Sequence, residues 1–499
     1  MQNDYVSLKS AAVICTDAKE QLIECEAVLP DYYPEINKVL KCSVTAGTED
    51  ITVSGDKVSA AGKADIRLIY LDAEKHIRIF TSLVKYTRVF AGLPVQSDDV
   101  CFITQHITGV EHRAGAPRKC EIRATAAVKL TCIRKTGLDV PAGTDAPDAE
   151  ICFEKTEYYG ADAVKDLELA FSENVDLPAA DGKINGVLCS SQEAEFTEIR
   201  VIKNKVMLKG CCEITARFVT DNGALTPETS FTVPFTEIAG LPGAEEEDEC
   251  KLFADAVNAR IAVAEDGKTA QVFVSAQIKA ACVKKNELLL PADMYSVRRE
   301  TTLKRAPGSL ITGFVPVTKR FQVSSDAECY DDSAESIVAC FADTPVCNMM
   351  KCGTGLHING SVGVNFLVAG SSGDLSLISR TCNFDEDAGV ESGGESFIAA
   401  SACIAAASLK NGRIDYTLRV ETRGGCVRTK ESSFITEVSF EDDAEKKENG
   451  EKVILYYAHS GERIWDIAKE NHCSAGRIKE FNECQGETVE ENTMLVLIK

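Results

Sequence analysis

The chain has 499 residues, 44% hydrophobic and 26% charged, with 77 acidic side chains against 54 basic and a net charge of −23. Its length implies several domains of about 100–200 residues each, its composition excludes wholesale disorder and fibrous sequence, and no stretch approaches the ~20 apolar residues that span a bilayer. So acidic a surface repels phosphate backbones and anionic headgroups, so neither nucleic acid nor direct membrane insertion is expected as a partner.

The first residues, Met1-Gln-Asn-Asp-Tyr-Val, lack the basic patch and apolar run of a secretory leader, and a cytoplasmic protein is expected. From Leu29 onward the chain repeats itself. Leu29 to Pro94 aligns without a gap on Leu177 to Pro242: Ile36-Asn37 falls on Ile184-Asn185, Val39-Leu40 on Val187-Leu188, Gly62 on Gly210, and Ala91-Gly-Leu-Pro94 on Ala239-Gly-Leu-Pro242. A more divergent third copy carries Ile337-Val338-Ala339-Cys340 where the first has Val39-Leu40-Lys41-Cys42, and Gly360 where the first has Gly62. The later halves repeat as well: Cys132 with its neighbours matches Cys282 and Cys426. A period of about 150 residues denotes tandem whole domains, because the units of a solenoid are far shorter.

Each copy reads as β. Ile122, Ala124, Ala126, Val128 and Leu130 alternate with polar neighbours, as do Val272, Val274, Ala276, Ile278 and Ala280, and Ile414, Tyr416, Leu418 and Val420. A period of two places one set on a buried sheet face. Gly62, Gly210 and Gly360 lie in or at the start of strands, which suggests a bulge or a close backbone approach. Ser54-Gly-Asp56, Asp221-Asn-Gly223 and Gly370-Ser-Ser-Gly-Asp374 are turn signals at hairpin spacing. In the Gly-Leu-Pro segments, glycine is read as supplying a permissive backbone angle and proline as ending the strand. Arg298, Arg299, Lys304, Arg305, Lys319 and Arg320 form a basic segment, read as a solvated strand face, with docking of an acidic partner as the alternative. Glu245 to Glu249 is read as a solvated loop. The fold expected is mainly β: three tandem antiparallel β-sandwich-like repeats at 1–148, 149–298 and 299–440, a charged linker at 441–451, and a small α+β unit of βααβ order at 452–499.

In that last unit Val453 to Tyr457 is a short strand. Ser460-Gly461 is read as capping a helix whose buried face is Ile464, Ile467 and Ala468; Ser474 caps a second helix presenting Ile478 and Phe481 and ended by Asn482; and Met494 to Ile498 is a closing strand. Tyr456-Tyr-Ala-His-Ser-Gly461-Glu-Arg-Ile-Trp465-Asp-Ile467-Ala468, with Asn482 and Leu495-Val-Leu-Ile498, resembles a LysM module. That resemblance implies a shallow groove between two loops that binds N-acetylglucosamine polymers. Here Glu462-Arg463 stands where the family has Asp-Thr, Asn492 where it has glycine, and Glu490 and Glu491 make the second loop acidic. A charged groove suits a protein partner better than a sugar.

Three β repeats followed by one such module resemble the spore coat morphogenetic proteins of the SipL and SpoVID type, whose β units are of the SPOCS class. The resemblance implies a non-enzymatic scaffold in the mother-cell cytoplasm, recruited to the forespore surface by binding a SpoIVA-like coat ATPase through its LysM module. Peptidoglycan, or its lipid-linked precursor, is the alternative ligand. The binding residues expected are Gly461, Glu462, Arg463, Ile464, Trp465, Glu490, Glu491 and Asn492, with packing along the first helix as the alternative for Trp465. The β repeats offer strand edges for self-association.

No catalytic set stands out. The 6 histidines show no metal spacing, and neither a phosphate-binding glycine loop nor a nucleophile elbow is found. No cofactor or metal is expected. The 21 cysteines are scattered without a C-x-x-C motif and read mainly as reduced, buried thiols, with cross-linking or redox roles as the alternative.

Overall fold

A computed structural model describes residues 3–330, 333–391, 393–441 and 452–498, apart from the side chains of 3, 4, 10, 161, 162 and 253–256. Most of the linker expected at 441–451 lies outside the described residues. What is described is mainly β, with only two helices of 7 residues each among the described residues.

The first 144 residues supply β1 (Asn3–Val28), β2 (Lys38–Ser54), β3 (Lys57–Leu71), β4 (Ile77–Ala91), β5 (Val100–Ala116) and β6 (Lys119–Thr144). Two antiparallel sheets result, in the orders β1-β6-β5 and β2-β3-β4. Their inner faces are the alternating sets of the sequence. Ile122, Ala124, Ala126, Val128 and Leu130 of β6 pack against Val58, Ala60, Ala64, Ile66, Leu68 and Tyr70 of β3 in one core. Burial of this kind contributes about 1.5–3 kcal/mol per large apolar side chain.

The next stretch supplies β7 (Ala149–Asp176), β8 (Ile184–Ile202), β9 (Lys205–Thr220), β10 (Thr229–Gly240), β11 (Glu249–Val263) and β12 (Thr269–Ser296), in the orders β11-β12-β7 and β10-β9-β8. The third supplies β13 (Glu300–Glu328), β14 (Ala334–Ala342), β15 (Val346–Cys352), β16 (Gly355–Gly370), β17 (Leu375–Glu391), β18 (Ser396–Lys410) and β19 (Arg413–Glu441). Its sheets run β13-β19-β18 and β14-β16-β15, with β17 on the other edge of β16. β14 and β15 thus share the edge that β2 occupies alone on β3. The interruption lies opposite Val362 and Gly363, two to three residues along from the bulges that β2 has between Thr48 and Asp50 and β8 between Phe196 and Glu198.

The glycines read as marking a bulge or a close backbone approach mark close approaches, chiefly by aromatic side chains. Gly62 and Gly210 also lie beside bulges of the paired strand. Gly62 lies opposite Tyr86, Gly210 opposite Phe235 and Gly360 opposite Phe384. A Cβ on each would stand 2.5, 2.9 and 2.3 Å from the facing aromatic ring. An aromatic side chain folds over each bare glycine. The Gly-Leu-Pro segments divide: Gly92 has φ of +76°, whereas Gly240 ends its strand without left-handed backbone. Leu241 is instead the anchor there, fully buried in the second core.

The three stretches are interlocked, which their spacing in the chain did not indicate. β2, β8 and β14 each carry a bulge near the start, around Leu40, Leu188 and Val338. A bulge re-aims a side chain. Here those three residues enter one shared apolar hub with Ile69, Leu71, Val219 and Leu367. The other sheets meet too, through Leu8, Tyr158 and Leu310 with Val140, Leu290 and Phe434. Polar bonds close every pairing. Lys41 Nζ donates to Asp343 Oδ2 at 2.8 Å and Asn365 Oδ1 at 2.7 Å, joining first and third stretches. Arg78 donates to the Asp221 carbonyl at 2.6 Å, joining first and second. Arg217 reaches the Val338 carbonyl at 2.8 Å, and Arg320 and Arg423 both reach Glu193 at 3.0 Å, joining second and third.

Much of the basic segment is therefore paired internally rather than merely solvated. Arg299 bonds Asp148 and lies 4.7 Å from the Phe440 ring centroid; Lys304 bonds Glu437; Arg305 bonds the Ala292 carbonyl; and Arg320 bonds Glu421.

Candidate functional site

The last stretch folds as β20 (Val453–Ala458), α1 (Ile464–Glu470), α2 (Ala475–Phe481) and β21 (Thr493–Ile498), with β20 and β21 paired antiparallel. Helices this short do not persist alone in water. They are held by a core of Ala458, Ile464, Ile467, Ala468, Cys473, Ala475, Ile478, Val489, Leu495 and Leu497. Ser474 caps α2, its side chain accepting from the Arg477 N–H, and Asn482 ends it. α1 differs from expectation: its N-cap is Arg463, without a side-chain cap, rather than Ser460 or Gly461. Asn482 also braces the closing strand, accepting from the Val496 N–H at 2.7 Å and donating to the Val496 carbonyl at 2.9 Å.

The two loops expected to flank a groove are bonded to one another. Gly461 N–H donates to the Val489 carbonyl at 2.8 Å, Val489 N–H to the Glu462 carbonyl at 2.9 Å, and Ile464 N–H to the Glu487 carbonyl at 2.9 Å. Gly461 reaches this position with φ of +92°, which accounts for glycine there. Residues that depart from the LysM pattern serve the junction. Glu462 accepts from the His459 N–H at 3.0 Å, and Asn492 Oδ1 accepts from the Ser460 N–H at 2.8 Å. The Ser460 hydroxyl adds a bond to the Glu490 carbonyl at 2.7 Å. These bonds engage the backbone N–H groups of His459, Ser460, Gly461, Ile464 and Val489 within the two loops.

The expected binding residues separate into two sets. Gly461, Arg463, Glu490, Glu491 and Asn492 are exposed and Glu462 is half-buried, all on or beside the joined loops. Ile464 and Trp465 are buried, which removes both from the contact surface. Ile464 belongs to the small core. Trp465 turns toward the β body, where its indole N–H donates to Asp293 Oδ2 at 2.9 Å and its ring meets Tyr295 edge-on at 4.9 Å.

Asp293 and Tyr295, both from β12, were not singled out from sequence. Asp293 follows a bulge between Pro291 and Asp293, and it also accepts from Lys469 Nζ at 2.8 and 2.7 Å. Tyr295 Oη donates to the Cys473 carbonyl at 2.8 Å. Burial pushes the Asp293 carboxyl up, but hydrogen bonds from Lys469 and Trp465 outweigh it and hold the group below its ordinary value. No local pattern in β12 signals this role, because the partners lie 172 and 176 residues away.

A second exposed feature adjoins the loops. Val453, Leu455, Tyr457 and Met494 are 65, 67, 54 and 53% exposed. The register sets Val453 opposite Ile498, Leu455 opposite Val496 and Tyr457 opposite Met494, so all six share the outer face of the strand pair. Burial alternates along β20, whose other set faces the core, but Val453 to Ala458 is apolar throughout, so the sequence alone did not mark which face is exposed.

Among the described residues, no group of three His, Cys, Asp or Glu side chains could hold a metal ion. No helix among the described residues is long and apolar enough to cross a membrane. No family model matches the chain, and neither a curated protein nor a solved structure matches it.

Proposed function

We propose that this chain is a non-enzymatic scaffold of the spore coat, in which three copies of one β-sandwich unit carry a LysM module that holds a SpoIVA-like coat ATPase. The observation that carries the reading is the surface of the last stretch. Its two loops are zipped together beneath exposed Glu490 and Glu491, and an apolar strip of Val453, Leu455, Tyr457 and Met494 lies on the same small unit. Apolar area beside a charged rim is the composition of a protein-binding surface. A sugar site needs free backbone donors and acceptors with few charges to desolvate. The interlocked body supports the scaffold role, since it presents the module from a base held on all sides.

The deciding experiment is co-purification of the ATPase with the full chain and with a chain ended at residue 450. Retention by the full chain and loss on truncation are expected; undiminished binding after truncation would remove the module from the mechanism. Saturable binding of muropeptides to the full chain, abolished by the same truncation, would replace the protein partner with a glycan.

A further inference from the structure

The thiols follow a pattern that the scaffold reading does not use. Cys101 of β5 lies directly opposite Cys132 of β6, and Cys250 of β11 directly opposite Cys282 of β12. The two pairs occupy matching places in their sheets. In the third stretch the matching pair is Ser396 of β18 and Cys426 of β19. Cys101 and Cys132 Sγ stand 3.2 Å apart, and directly opposed residues of an antiparallel pair have the Cα spacing that a disulfide requires.

We propose that Cys101–Cys132 and Cys250–Cys282 are oxidisable dithiol sites, which close to cross-strand disulfides when the folded chain meets a small-molecule peroxide. The Cys101 and Cys132 sulfurs stand within hydrogen-bond distance, and Cys250 and Cys282 are directly opposed in register. The bond from Cys132 lowers the Cys101 thiol against its burial, and the bond to Cys101, with burial, raises Cys132. Cys282 and Cys250 divide in the same way. The acceptor sulfur is the better thiolate, and the thiolate is the nucleophile.

Its sulfur attacks one peroxide oxygen: an S–O bond forms, the O–O bond breaks, and the departing hydroxide takes a proton and leaves as water. The neighbouring sulfur then displaces the hydroxyl of the sulfenic acid. The S–S bond forms, the S–O bond breaks, and the second thiol proton leaves with that hydroxyl as water. Two thiols and one peroxide become one disulfide and two waters.

Cys15 of β1 also faces Cys132, from the side away from Cys101, whereas Ala163 holds that place beside Cys282. The first sheet therefore has a third thiol that can exchange into its disulfide, and the second sheet does not. Closure staples the edge strands β5 and β11 to the central strands of their sheets.

The test treats the reduced, folded full chain with hydrogen peroxide, alkylates the remaining thiols and maps peptides without reduction. Peptides joined through Cys101–Cys132 and Cys250–Cys282 are expected, reversible by dithiothreitol, with no matching link in the third stretch. The variant Ser396→Cys should gain a link from its new thiol to Cys426, a gain that misfolding could not mimic. C15S should keep the Cys101–Cys132 link, and C132S should lose it. Recovery of both pairs as unlinked thiols while exposed Cys352 is oxidised would overturn the proposal. So would links that appear only in urea, or failure of Ser396→Cys to cross-link.

Discussion

The β body and the βααβ unit at its end are held together by different means. In the body, buried side chains lie in several clusters, and three of these draw on all three stretches at once. The terminal unit has one small core of its own, and it meets the body through Tyr295, Asp293 and a few neighbouring apolar groups. The body's strength is shared out, so losing any one part disturbs the rest. The terminal unit's attachment is concentrated at Asp293 and Tyr295, with Cys152 and Val297 beside them, so its release is expected to leave the body folded.

The contrast is broken most forcefully from the body side. Phe366 is fully buried in the third core, so Phe366→Ala should cost about 3–5 kcal/mol in urea unfolding. Because the hub joins the stretches, a single transition is expected; two separated transitions would show that they unfold independently.

A smaller effect is expected at the attachment. Asp293→Ala strands the Trp465 N–H and the Lys469 ammonium, for a loss of about 1–3 kcal/mol in docking. Trp465 is the only tryptophan in the chain, so its emission should shift to the red while the unfolding midpoint of the body stays in place. Unshifted emission would mean that Tyr295 alone holds the contact.

Acid should reproduce that release. The Asp293 carboxyl is held below its ordinary value, so its contribution is complete above about pH 4 and is lost as pH falls through the depressed value. Trp465 emission should stay constant at higher pH and move to the red in stronger acid, whereas Asp293→Ala should already show the shifted emission at neutral pH. The least disturbance to stability is expected at the exposed loop. Glu490→Ala with Glu491→Ala should change stability by no more than about 0.5 kcal/mol. Under the proposed function the same variant should lose the coat ATPase in co-purification, and retention would place the contact on the apolar strip instead.

Legibility in the sequence followed the range of the interaction. The alternation at 122–130, 272–280 and 414–420 was plain, because one buried face imposes period two on every strand that contributes to it. The glycines facing Tyr86, Phe235 and Phe384 were readable as close approaches, although which ring covers each was not. In the terminal unit the order of strands and helices, the Ser474 cap and the Asn482 stop could be read locally. The same local reading put Trp465 and Ile464 among the contact residues. An amphipathic pattern tells that a side chain is buried in something, but it does not name the partner.

Turn positions, the inward set of the alternating strands and the succession of elements in the terminal unit were thus determined by the amino-acid sequence alone, since they depend on neighbours a few residues apart. The order of strands in a sheet, by contrast, joins segments as far apart in the chain as β1 and β6 or β7 and β12. Only the tertiary structure decided that bulges at Leu40, Leu188 and Val338 would meet in one hub, that Asp293 would hold Trp465, and that cysteines would face each other across two sheets but not the third. These contacts join residues far apart in the chain. They arise from shape and register between finished elements, which no short window of sequence records.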